Sequence, residues 1–248
     1  MVNVDTVYKT VLYILNKEQR GYITPDEFNK LGTQVQREIF EQYFEELNQQ
    51  LRIPQTDNEY ANRIKNLEEK IDVFKTNQTC TGANPFILPS NLHRLGTLIY
   101  NVNSKEIQGV NRNEYFLINK SPLTAPTISN PLYVLEGTGT PSAAPSSATV
   151  FPASITTNQV DAYYIKAPEN PIWAYTVGSL GQYEFADPGV IIPVPIPATG
   201  SINFELHPSE QTNIILNILM YSGVVIRDPQ IVQTAATMIQ QDEALEKQ

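Results

Sequence analysis

One cysteine in 248 residues, Cys80, rules out an internal disulfide and leaves no thiolate set for a metal. The chain is therefore expected to work without an oxidising compartment. Histidine is nearly as scarce: His93 and His207 are the only two, and neither has the carboxylate or cysteine spacing of a metal site or a recognisable catalytic constellation. Charge is thin as well, 17 % of residues against roughly a quarter in average globular chains. Basic residues are the scarcer sign, 17 against 26 acids, and the net charge of −9 excludes a sequence-independent grip on nucleic acid. Such a grip needs cations to displace the counterions of phosphates, so DNA passing nearby would be repelled. No apolar run approaches the roughly 20 residues of a membrane span. The N-terminus MVNVDTVYKT lacks the basic patch and apolar core of a signal peptide. A soluble chain without membrane contact is expected.

Neutral Asn, Gln, Ser and Thr fill the gap left by charge. Such a surface hydrogen-bonds to a partner without the cost of burying ions, which suits a protein with much of its area in contacts. The length is above the usual single-domain size and below two comfortable ones, so one core with unequal parts is expected.

The pattern predicts three successive parts and an α+β fold: a helical hairpin or bundle over 1–76, a mostly antiparallel β part over 77–207, and amphipathic helices over 208–248 that pack back on the core. Val4, Val7, Val11, Ile14 and Leu15 share one face of a first helix from about Asp5 to Asn16. Thr24, Pro25 and Glu27 then form an N-cap, N1 proline and capping box. The second helix carries Phe28, Leu31, Val35, Ile39, Tyr43, Leu47 and Leu51 in one stripe, until Pro54 stops it. Tyr60, Ile64, Leu67, Ile71 and Phe74 give a third helix a coiled-coil-like seam, with the second helix as its partner. Strands are predicted near Gly96 to Asn101, Glu106 to Val110, Pro131 to Leu135, Val160 to Lys166, Ile172 to Val177 and Ile202 to Leu206. GTGTPSAAPSSAT, over 137–149, reads as a mobile loop, and the alternate prolines of VIIPVPIPATG as an extended segment. Ser209 should cap one C-terminal helix that Gly223 ends, and Asp228 a second one.

Chemical motifs are few. NKEQRGYITPDE imitates a calcium loop, with Glu27 as the bidentate twelfth ligand. Arg20, however, sets a guanidinium at a ligand position, so a turn with a capping box is the preferred reading. A DNA-reading helix pair is disfavoured because the second helix is acidic and aromatic. Cys80 has no neighbouring His or Lys to activate it, and the glycine pairs lack a nucleotide fingerprint. Trp173, with Tyr163, Tyr164 and Tyr175, could stack sugars but reads better as sheet packing. No catalytic residue, metal or cofactor is assigned. The apolar face of the second helix is wider than one partner helix requires. Phe40, Tyr43, Phe44 and Leu47 are therefore nominated as a subunit interface, together with the C-terminal stripe Ile231, Ala235, Met238 and Ile239.

Several stretches carry a family likeness: VYKTVLYILNKEQRGYITPDEFNKLGTQVQREIFEQYFEEL, NPLYVLEGTG, VDAYYIKAPENPIWAY and ILNILMYSGVVIRDPQIVQTAA. In these stretches the chain resembles virion structural proteins of the crAss-like short-tailed bacteriophages and their marine relatives. The resemblance implies a non-enzymatic ring protein of the neck or tail, made in the bacterial cytoplasm. Twelve copies would stack beneath the portal beside adjacent tail rings, extending and sealing the channel through which genome DNA is ejected without specific binding. The alternatives weighed against it are a ligand- or carbohydrate-binding tail module resting on Trp173 and a calcium-responsive helical module resting on Glu27.

Overall fold

A computed structural model describes residues 1–17, 22–52, 63–137, 147–187, 195–226 and 229–246. The fold is α+β, and the chain divides into two compact units: one of Met1–Val73 with Pro168–Gln248, the other Phe74–Ala167.

The first unit is mainly helical. Helix α1 (Val4–Lys17) starts where the Asn203 side-chain carbonyl accepts from the Val4 amide at 3.0 Å. Helix α2 (Pro25–Gln50) begins at the predicted capping box: the Thr24 hydroxyl accepts from the Glu27 amide and the Glu27 carboxylate accepts from the Thr24 amide at 2.9 Å. Helix α3 (Arg63–Asp72) keeps Leu67 and Ile71 of the predicted seam buried, whereas Tyr60 lies outside the described residues and Phe74 opens the other unit. His207, not Ser209, caps the next helical segment: its Nδ1 accepts from the Ser209 amide, and a short 3-10 turn leads into α5 (Gln211–Ile226). Helix α5 runs through Gly223, which was expected to end it, because backbone donors and acceptors of a buried segment are best satisfied by continuing the helix. Helix α6 (Pro229–Glu246) packs against α5, and α5 packs against α1 and α2. Asp228, expected as its cap, is outside the described residues.

Residues 168–207 belong to this unit rather than to the β part assigned from sequence. They supply a two-stranded hairpin, described below, and isolated bridges that pair Ile172 with Ile202 and Val2 with Phe204. Gln36 of α2 ties them down: it donates from Nε2 to the Glu169 carbonyl at 2.6 Å and accepts the Glu205 amide at 3.1 Å. The strand predicted over 202–206 is only these bridges. Polar side chains from a helix take the place of a ladder partner there.

The second unit is a seven-stranded sheet: β1 (Lys75–Thr79), β2 (Phe86–Ile87), β3 (Leu92–Tyr100), β4 (Lys105–Gly109), β5 (Leu132–Glu136), β6 (Ser147–Phe151) and β7 (Val160–Lys166), in the order β1-β7-β3-β4-β5-β6-β2. It closes on itself. Thr81, just past β1, exchanges both backbone hydrogen bonds with Ile87 of β2, at 3.3 and 2.8 Å. This bridge joins the two ends of the strand order, while Lys75–Thr79 of β1 has β7 as its one ladder partner among the described residues. Two irregularities in the β3–β7 register, one at His93 and one at Gly96, increase the local curl. At the second a Cβ on Gly96 would stand 2.9 Å from the Tyr163 carbonyl, so only glycine lets the strands approach this closely. Phe86, Leu98, Tyr100, Ile107, Val150, Val160 and Tyr164 fill the interior, with Cys80 among them. Ser147–Thr149, expected to extend the mobile loop, form part of β6 with Ala148 fully buried, while 138–146 lie outside the described residues.

One connection was missed from sequence. Strands β4 and β5 are parallel, and parallel neighbours need a crossover. Helix α4 (Arg112–Ile118) supplies it. Its Tyr115 stacks on Phe151, ring centroids 4.0 Å apart, and the register sets Phe151 opposite Leu132 on the same outer face of the sheet. Helix α4 thus covers the outside of β5 and β6.

Candidate subunit interface

The interface nominated from sequence sits largely in the interior. Phe40, Tyr43 and Phe44 are buried within the helical unit. Helix α3 covers this side of α2: Lys70 reaches from it to lie 5.5 Å above the Tyr43 ring while its ammonium pairs with Glu210 at 2.7 Å. Helix α5 packs on α2 as well, and Tyr221 donates to the Glu38 carboxylate at 2.8 Å. The wide stripe is thus accounted for by two helices of the same chain, and a neighbour cannot reach these rings without opening the fold. Leu47, beyond them, is half-buried. On α6, Ala235 is buried and Ile239 half-buried, Met238 is exposed, and the side chain of Ile231 is outside the described residues. Among the described residues, exposed Met238 and the half-buried Leu47 and Ile239 are what remains of the nominated surface.

The other residues singled out from sequence also have local partners. Trp173 is buried; its indole N–H donates to Asp5 at 3.0 Å and its ring packs against Tyr8, Tyr175 and Phe185. Asn29 holds the Trp173 backbone by both its amide groups, accepting from the N–H at 2.7 Å. A tryptophan enclosed in this way offers no open face to a sugar. Tyr163 is the exposed aromatic of the group, on the outer face of β7, and Tyr164 points into the barrel. Glu27 has its carboxylate engaged by the Thr24 amide and hydroxyl, which hold it below the usual carboxylate range. Burial pushes the Cys80 thiol up to about 11, so it is a poor nucleophile at neutral pH.

The exposed apolar surface lies elsewhere. Helix α4 turns Tyr115 and Ile118 toward the barrel, but Phe116 and Leu117 face solvent at 58 % and 66 % exposure. Leu123, in the turn after it, is 94 % exposed, and Ile128 adds to the same connection. Large apolar side chains bared together in this way are ordinarily covered by a partner. In the helical unit the hairpin β8 (Tyr175–Val177) and β9 (Tyr183–Phe185) carries Leu180 at its tip, 91 % exposed, with Val177 and Tyr183 below it. Sequence reasoning passed over both sites because it searched for one-sided apolar stripes, and four residues in YFLI fill every direction of a helical turn.

Charge is divided between the units. Phe74–Ala167 holds six basic and four acidic residues, the rest of the chain eleven and twenty-two. The acidic balance of the whole chain therefore belongs to the helical unit alone.

These features define an α+β protein made of a helical unit and a curled, mostly antiparallel seven-stranded sheet, with exposed apolar side chains in each unit. Among the described residues no group of His, Cys, Asp and Glu is placed to hold a metal ion, and no helix is long and apolar enough to cross a membrane. No protein-family model matches the chain, and the comparison with curated proteins finds no match.

Proposed function

We propose that the chain is a structural subunit of a bacteriophage virion, assembling into a ring of the neck or tail below the portal. One observation carries the proposal: apolar side chains stand bare on ordered elements of both units, at Phe116, Leu117 and Leu123 and at Leu180. In isolation such surface is an aggregation hazard, and in an assembly it is the contact. A closed ring needs two unlike patches per subunit, one received by each neighbour, and these two, one in each unit, meet that need. The amide-rich surface and the resemblance to crAss-like phage ring proteins point the same way. The work of such a protein is geometric: it extends and seals the channel for genome DNA, and the acidic helical unit would let the duplex slide past rather than hold it.

The test is the mass of the purified chain, by native mass spectrometry and electron microscopy, alone and mixed with portal protein from the same phage. Closed rings, of twelve copies if the family pattern holds, are expected in at least the mixture. A chain that stays monomeric in both, or one that turns over a compound as a monomer, would refute the proposal.

A further inference from the structure

We propose that the β8–β9 hairpin of one copy docks on the α4 face of a second copy, and that this is the head-to-tail contact of the ring. The inference rests on the assembly reading above and specifies its surfaces.

The hairpin is built to display its tip. Pairing of Tyr175 with Phe185 and of Val177 with Tyr183 sets these four side chains on one face. The inner two rest on Trp173 in the core, which anchors the base. At the turn the Gly178 amide donates to the Gln182 carbonyl and the Gly181 amide to the Gly178 carbonyl, both at 2.9 Å. The Gln182 side chain then accepts from the Leu180 amide at 3.1 Å and donates to Glu184 at 2.8 Å. Gly181 has φ of +80°, a conformation glycine takes without strain. Leu180 is thus held outward by its own turn, and little ordering entropy remains to be lost on docking.

The α4 face is its complement in both respects. Phe116, Leu117 and Leu123 offer apolar area, and exposed Lys120 adds a cation at the end of the helix with no ion pair among the described residues. The hairpin supplies the opposite sign: exposed Glu184 and Asp187 flank its base, and no Lys or Arg occurs anywhere from Pro168 to Ile226. This charge complementarity, repeated at the level of whole units, selects a second copy as occupant. Because giver and receiver are different patches, the contact is heterologous and propagates, as closure into a ring requires.

The experiment uses the full chain with Leu180→Ser or Leu117→Gln. Both side chains are exposed, so far-UV CD and Trp173 emission should stay as in the wild type. Each variant alone should lose self-association by about tenfold or more, as removal of a central apolar anchor does. Mixed in equal amounts the two should form one-to-one pairs and nothing larger, because each retains the surface the other lacks. Lys120→Glu should weaken assembly in the same way, with Glu184→Lys in the same chain restoring it, a test that leaves the apolar residues untouched. Rings that form normally from all these variants would overturn the contact while leaving the assembly reading intact. A wild-type chain that never associates with itself would overturn the contact too, and the portal mixture would then decide the assembly reading separately.

Discussion

Gln36 is 1 % exposed in the middle of α2, and its side-chain amide joins that helix to two backbone segments far away in sequence. Replacing it with leucine keeps the volume close and raises the hydrophobicity, so composition alone predicts a gain of stability. The hydrogen bonds predict a loss. The substitution removes the acceptor for the Glu205 amide, at a buried position, and the donor to the Glu169 carbonyl, at a part-buried one, each worth about 1–3 kcal/mol when its partner disappears. Against that stands a transfer gain of about 1–2 kcal/mol for the leucine side chain. The net expectation is destabilisation by about 2 kcal/mol, which lowers a urea midpoint by about 1 M for a slope of about 2 kcal/mol per M. Trp173 is the only tryptophan and lies in the same unit, so its fluorescence follows the transition without contribution from the barrel. Gln34→Leu on the exposed side of α2 is the control and should move the midpoint by no more than about 0.5 kcal/mol equivalent. If Gln36→Leu matches or exceeds wild-type stability, the claim that this amide fastens residues 168–207 to the helices is wrong.

Phe44→Asp, at a buried ring packed edge-on against Phe40 at 5.1 Å, should unfold the helical unit instead of yielding a helical monomer that merely fails to assemble; far-UV CD distinguishes the two. Cys80 should resist a thiol reagent at pH 8 until denaturant is added. Its folded pKa is raised by burial from 9.0 to about 11, so the neutral thiol contributes stability in full below pH 9.0, lost as pH climbs toward 11. Cys80→Ala should flatten that alkaline fall in melting temperature. Glu27 has the opposite sign: its pKa is depressed by the Thr24 amide and then hydroxyl, so its contribution is complete above 4.5 and disappears as pH falls through the folded value. Glu27→Gln should make acid melting curves less steep with pH, and Thr24→Ala should cost about 1 kcal/mol at neutral pH by loss of the cap.

What sequence made visible were the features set by neighbours along the chain. The capping box at Thr24 needs only residues three apart, and the apolar stripe of α2 only a period of 3.6, so the box and the stripe as far as Tyr43 stand where expected, while Leu51, assigned to the stripe, is exposed at the C-cap. Strand β7 has the predicted bounds because Val160, Ala162 and Tyr164 alternate with outward residues. Features that depend on distant partners were not visible. Strand β1, KTNQT, has no apolar alternation at all, and it is a strand because β7 offers it a full ladder of backbone partners. Residues 168–207 look like sheet in composition, yet Gln36 and Asn29 bind their backbone to a helix. Barrel closure through Thr81 and Ile87 joins residues separated only by a turn, but nothing in the sequence says that the far end of the sheet arrives there too.

The burial of the α2 face nominated as an interface has a single physical cause. A width criterion was applied to α2, on the premise that apolar surface beyond one partner helix requires another subunit. Helices α3 and α5 satisfy that surplus inside the chain, since the C-terminal segment returns to pack against the N-terminal one. Helix α4 was overlooked because its apolar residues have no preferred side. Where the large stripe of α2 is consumed by the chain's own core, the informative pattern is the short segment with too many apolar residues for its one contact. YFLI uses Tyr115 and Ile118 to close the crossover over β5 and β6, after which Phe116 and Leu117 have no further role in holding the barrel. Their substitution should therefore leave folding untouched and change association alone, whereas substitution of the buried Phe40, Tyr43 and Phe44 on α2 should do the reverse.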